Sequence, residues 1–145
     1  MKSKAALIKG GIAVDDRGNL RFVNDFHFEG VKRFYQVENY RRGFIRAWHG
    51  HEREGKYVWV SCGSALVGVV PLDAERGDLS QVEKFVLSDK SPCVLWIPEG
   101  HYNGFMTLDE NTRVIFFSTA SMEETNGDDI RLDYDAWDIW QENFR

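Results

Sequence analysis

The sequence predicts an all-β fold, a sandwich or barrel of short strands. Three observations predict it. Short runs rich in Val, Ile, Phe, Tyr and Trp recur along the chain, separated by Gly, Asp and Asn. That is the pattern of many short strands joined by turns. Aromatic residues make up 14% of 145 residues, with ten Phe, five Trp and five Tyr, and rigid rings suit a pleated, half-buried surface. Hydrophobic residues reach 43%, enough for a core in one domain of ordinary size.

The elements follow in order. The start, MKSKAALIKGG, is basic and then briefly apolar. Its apolar part is too short for a signal peptide and no cleavage-site pattern follows, so it reads as the first strand of a cytoplasmic protein. DDRGN at 15–19 is turn chemistry, followed by the run LRFV at 20–23. VKRFYQV at 31–37, FIRAW at 44–48, YVWVS at 57–61 and ALVGVV at 65–70 come next. DAERGDLSQ at 73–81 reads as a surface loop. VEKFVL at 82–87, CVLWI at 93–97 and GFMTL at 104–108 follow, then the turn LDENT at 108–112 and the run RVIFFS at 113–118. The tail, DYDAWDIWQENF, reads as one short helix packing Trp137 and Trp140 on the body. No stretch has the composition of a linker, a repeat or a low-complexity segment, so residues 1–145 form one domain.

Net charge is −5, which argues against nucleic acid or an anionic membrane as partner. It leaves room for an anionic small molecule in a locally basic pocket. The longest apolar run is far too short to span a bilayer. Cys62 and Cys93 lie in strand-like runs without a basic setting, so they read as buried, reduced thiols.

The stretch RAWHGH at 46–51 holds two histidines one residue apart. On a strand, His49 and His51 point to the same side. They can be metal ligands, a base with a neighbour, or a polar patch. By the same alternation Arg46 points with Trp48, opposite the histidines.

The spacing around the pair resembles the two metal-binding blocks of the cupin class. Gly43 is followed by five residues and then His49 and His51, and Gly63 closes the block. PEGHYN at 98–103 resembles the second block, with Pro98 and Gly100 in place. The cupin glutamate position holds Lys56 and the last histidine position holds Asn103; His101 is displaced by two residues. An ammonium there repels a divalent cation. The resemblance implies a cupin, a double-stranded β-helix or jelly-roll barrel, here without metal.

A closer resemblance is to dTDP-4-dehydrorhamnose 3,5-epimerases. RRGFIRAWHGH, VDDRGNLRF and IPEGHYNGFMTL match their blocks in order over about residues 12–135. It does not extend to the C-terminal extension of those enzymes, which carries the aspartate partner of their base histidine. The complete His-x-His pair and the tail DDIRLDYDAW are similar to sugar-nucleotide 3,4-ketoisomerases. Both families are metal-free cupins acting on 4-keto-6-deoxy nucleotide sugars. The resemblance implies an isomerase with a nucleotide-sugar substrate, dTDP-linked among the candidates, and with no cofactor. It also implies a homodimer. A non-catalytic sugar-nucleotide-binding cupin is the reading from another class.

Residue by residue, the resemblance implies that His49 is the base and that His51 orients it or is itself the base. Arg46 is then a substrate contact, which requires a bulge or twist at Ala47–Trp48. Lys56, put where a metal ligand would be, binds phosphate or stabilises an enolate. Arg17 is a candidate diphosphate contact, and His101 and Asn103 line the same region. The tyrosine acid of the epimerases falls at or near Met122. Tyr102 is the replacement acid, with Tyr35 and Tyr40 as further candidates.

Overall fold

The computed structural model describes residues 4–142 and 145. Met1 to Ser3, the beginning of the basic start, and Asn143 and Phe144, the end of the tail read as a helix, lie outside the described residues. The strands are β1 (Ala6–Lys9), β2 (Gly11–Asp15), β3 (Gly18–Phe22), β4 (Arg33–Glu38), β5 (Ile45–His51), β6 (Lys56–Cys62), β7 (Ser64–Pro71), β8 (Glu83–Ser88), β9 (Cys93–Ile97), β10 (His101–Thr107) and β11 (Arg113–Ser118). A single helical turn, α1 (Met122–Thr125), and the short edge strand β12 (Ile130–Arg131) follow.

Two five-stranded sheets face each other, in the orders β1-β9-β6-β11-β4 and β12-β5-β10-β7-β8. Their inward faces make the main core, with Val58, Val60, Val67, Val69, Leu95 and Val114 at its centre. These β-branched and leucine side chains come from alternate positions, as a half-buried strand requires. The all-β architecture expected from the sequence is present, strand for strand, at every run named above.

β2 and β3 form a hairpin of their own outside both sheets. Its turn needs Gly18, whose φ of 140° lies outside the range of L side chains.

The outer face of the second sheet is covered by the tail. Trp48, Trp137, Trp140, Tyr102 and Val70 pack there as a second core. Each indole N–H finds a carbonyl: Trp48 and Trp140 donate to Tyr134 at 3.0 and 3.1 Å, and Trp137 to Glu75 at 2.9 Å. Buried indoles need such partners. The tail itself contains one 3-10 turn, Tyr134–Trp137, where the sequence reading placed a helix. The anchoring of Trp137 and Trp140 is as expected, each ring held by a different carbonyl, Glu75 and Tyr134.

The helical turn α1 was not anticipated. It is closed by a capping box: Ser121 Oγ accepts from Glu124 N at 3.2 Å, and Glu124 Oε1 accepts from Ser121 N at 3.1 Å.

Candidate active site

Between the sheets, beyond the apolar core, lies a cavity of about 740 Å3. β5 contributes Arg46, His49 and His51, β10 contributes Asn103 and Phe105, and β6 contributes Lys56. Tyr35 and Arg33 enter from β4, and Phe116 from β11. The segment from Met122 to Arg131 closes one wall.

The position of Arg46 rests on a register shift. Asn103 pairs with His49 but Phe105 pairs with Arg46. Two steps on β10 are matched by three on β5, so β5 carries one extra residue, the expected bulge. The Ala47–Trp48 peptide there is cis. Ala47 and Trp48 both turn to the outer core, and Arg46 joins the histidines inside. Gly104 lies opposite the bulge; a Cβ on it would come within 2.5 Å of Ala47 Cβ.

Arg46 is steadied from behind: its Nε donates to Asn39 Oδ1 at 2.8 Å. Asn39 is buried. Lys56 is also buried, with Nζ 3.9 Å from Glu54 Oε2 and 5.6 and 5.9 Å from the ring centres of Phe116 and Tyr35. Glu54 is fully enclosed, and it accepts from Ser118 Oγ at 2.8 Å and from Thr125 Oγ1. The buried ammonium therefore has a hydrogen-bonded anion beside it, the condition for burying charge.

The two histidines have different surroundings. His51 is 6% exposed, and its Nδ1 is in a short hydrogen bond with the carbonyl oxygen of Asp128. His49 is more open, with Nδ1 3.9 Å from Asp129 Oδ1. Burial pushes both imidazoles below the ordinary histidine pKa, and the Lys56 cation pushes in the same direction. Arg131 adds to this at His49, where Asp129 opposes it. At His51, the Asp128 carbonyl and Glu54 oppose it. Both rings are therefore neutral near pH 7, the state in which a histidine can accept a proton.

Three named candidates fall elsewhere. Tyr102 precedes the inward Asn103 on β10, so alternation turns its ring to the outer core, 5.4 Å from the ring of Trp137. Arg17 is at the tip of the separate β2–β3 hairpin, paired with Asp15 at 2.6 Å. His101 begins β10 opposite His51, and its Nδ1 lies 3.1 Å from the carbonyl oxygen of Glu99. None of the three is among the cavity residues. Of the alternative tyrosines, Tyr35 lines the cavity and stacks on Phe116 at 5.2 Å, whereas Tyr40 is 98% exposed. Met122 lines it too.

Glu54, Asp128, Asp129, Asn39, Arg33 and Arg131 were missed. In HEREGK nothing separates Glu54 from Glu52, and the tail holds many acids. A signal did exist for the last wall in the likeness of DDIRLDYDAW to the ketoisomerase tail; in the structure DDIR pairs with β5, Arg131 opposite His49 and Ile130 opposite Gly50. Among the described residues, no group of three or more His, Cys, Asp or Glu is arranged to hold a metal ion.

The family model described as dTDP-4-dehydrorhamnose 3,5-epimerase matches residues 5–143. The chain belongs to that family. It is an enzyme of the epimerase/isomerase kind. The spore coat polysaccharide biosynthesis protein SpsL of Bacillus subtilis (strain 168) is 27% identical over 107 residues, 71% of each chain. The dTDP-4-dehydrorhamnose 3,5-epimerase structure from Sulfolobus tokodaii is 26% identical, with a TM-score of 0.72, covering 93% of this chain and 81% of the other. QdtA, a sugar 3,4-ketoisomerase from Thermoanaerobacterium thermosaccharolyticum solved with TDP, has the same fold. It is 22% identical, with a TM-score of 0.69, covering 97% of this chain and 96% of the other. The family member is thus a cupin, as the two sequence blocks implied. No helix among its described residues is long and apolar enough to cross a membrane.

Proposed function

We propose that the protein isomerises a nucleotide-diphosphate-linked 4-keto-6-deoxysugar by removing the proton at C3, in deoxysugar or polysaccharide biosynthesis. The carrying observation is the joint placement of His49, His51 and Lys56 in one cavity, two neutral imidazoles beside a buried ammonium. His49 takes the proton from C3, and the electron pair moves to the C4 oxygen as an enolate. Lys56 stabilises that oxygen. A proton then returns to the other face. Tyr35, which lines the cavity from the opposite sheet, carries it in place of Tyr102. Arg46 binds the diphosphate, and Asn103 lines the sugar. dTDP is the nucleotide of this reading, since related structures are bound to dTDP or TDP.

A second reading, 3,4-ketoisomerisation, is favoured by one observation: Nε2 of the buried His51 has no hydrogen-bond partner. Incubation with a 4-keto-6-deoxy nucleotide sugar in D2O separates the readings. C3 epimerisation leaves deuterium at C3; ketoisomerisation moves the carbonyl to C3 and leaves deuterium at C4; labelling at C5 marks a 3,5-epimerase. We expect C3 label with little at C5. No label at any of these carbons would end both readings and leave a binding protein.

The same reading includes a homodimer in the cytoplasm. Val14 and Leu20 on the free β2–β3 hairpin are exposed, and a second copy would cover them. Light scattering that gives a monomer at micromolar concentration counts against the dimer.

A further inference from the structure

His51 can hold its hydrogen bond to Asp128 in only one neutral form. A carbonyl oxygen only accepts, so Nδ1 carries the proton and Nε2 carries the lone pair. That Nε2 is buried and unpartnered within the protein, on a side chain that lines the cavity. An atom so placed takes its partner from what fills the cavity, water or ligand.

The carbonyl is itself held. The Asp128 carboxylate accepts from the backbone N–H of Glu52 at 2.7 Å, Arg53 at 3.0 Å and Glu54 at 3.1 Å. These three follow His51 directly. Asp128 therefore grips the turn after β5 with its side chain and the His51 ring with its main chain. Burial alone would raise its carboxyl, but the three N–H donors and Arg53 hold it below the usual carboxylate range. It stays an anion, able to accept all three bonds.

We propose that Asp128 is a positioning residue that fixes the tautomer of His51, making its Nε2 a proton acceptor and nothing else. This deepens the isomerase reading and rests on it for the substrate. A bare imine nitrogen takes a proton from a carbon or a hydroxyl; it cannot donate to an enolate oxygen. His51 then accepts the hydrogen of the sugar C3 hydroxyl, or the C3 proton itself, and enolate stabilisation falls to Lys56. In the other tautomer Nδ1 would turn a lone pair toward the Asp128 oxygen, and the short contact would become repulsive.

The test has two arms. The first is nitrogen-15 NMR of the ligand-free wild type at neutral pH, with His51 assigned by comparison with His51→Asn. The expected state is Nδ1–H with unprotonated Nε2; an Nε2–H tautomer or an imidazolium overturns the proposal. The second is Asp128→Asn, whose amide cannot accept three N–H bonds. Its His51 should show mixed tautomers, and C3 labelling in D2O should fall about 10-fold, short of complete base loss. dTDP binding should stay within about 2-fold, because Asp128 supplies no group to the cavity. A variant with an unmixed Nδ1–H tautomer and wild-type labelling overturns the proposal. If the variant does not fold, the wild-type spectrum decides. A wild type with the expected tautomer but no labelling would remove the substrate reading while supporting the positioning by Asp128.

Discussion

Arg46 and His49 stand three residues apart on β5 and line the same cavity. In a regular strand an odd separation sends two side chains to opposite faces. Here the extra residue between Asn103/His49 and Phe105/Arg46 restores them to one face. The bulge thus puts the guanidinium and the imidazole in reach of one substrate, while Ala47 joins Trp48 on the outer core.

Gly104 should be required for that relationship. Adding a Cβ would drive it into Ala47, and the neighbour is a strand, not a flexible tip. Gly104→Ala is expected to cost about 1–3 kcal/mol, the range for overpacking a filled site. Chemical denaturation measures it. The same variant should lose activity beyond its loss of stability, because Arg46 and His49 would no longer share a face. Wild-type stability and activity together would show that the bulge tolerates the methyl group.

Arg46 and Lys56 bring positive charge to the cavity from the two facing sheets. Arg46→Ala and Lys56→Ala should each weaken nucleotide-sugar binding by about 1.5–3 kcal/mol, the scale of a hydrogen bond to a charged group. Calorimetry with dTDP or its sugar conjugate reads this directly, and dTDP should raise the wild-type Tm. Lys56→Ala also leaves Glu54 without the nearby ammonium, so its Tm must be compared in the absence of ligand. A panel of nucleoside diphosphates that shifts nothing at millimolar concentration would remove the main support for this substrate class.

His49→Asn keeps size and some hydrogen bonding but cannot act as a base. Labelling at C3 should fall by at least about 10²-fold, the lower range for losing a general base. His51→Asn should cost less if His51 accepts only from a hydroxyl, and as much if it takes the carbon-bound proton. Labelling unchanged in both variants would return the pair to a structural part.

The pH dependence follows from the depressed histidine values. Both rings stay neutral below the ordinary value of 6.5, so the acid limb of kcat/KM should lie below about pH 6.5. Stability has the same direction. Between about pH 6.5 and the lower folded values, the unfolded chain binds more protons than the native one, so stability falls as pH falls. The contribution is complete above the unfolded value and is lost through the folded ones. Denaturation midpoints across this window should decline, and less steeply in His49→Asn and His51→Asn. A flat midpoint with an acid limb at or above 6.5 would contradict the burial of these rings.

What the sequence by itself determined is local. Alternating apolar runs and turn residues set the strands, because side-chain period and turn conformation are properties of a few adjacent residues. The spacing from Gly43 through His49 and His51 to Lys56 marked cavity residues of β5 and β6, two strands consecutive in sequence that face each other from the two sheets. Tertiary structure decided the rest. Tyr102 lies in the block PEGHYN and Tyr35 in the run VKRFYQV, and only the register of β10 turns the first outward while β4 brings the second in. The partners of the histidines, Asp128 and Asp129, lie 77 and 80 positions beyond His51 and His49. They reach them because β12 pairs with β5 at the sheet edge. Nothing in the local pattern distinguishes those acids from their neighbours; long-range strand pairing does, and with it one aspartate becomes the anchor of a buried imidazole.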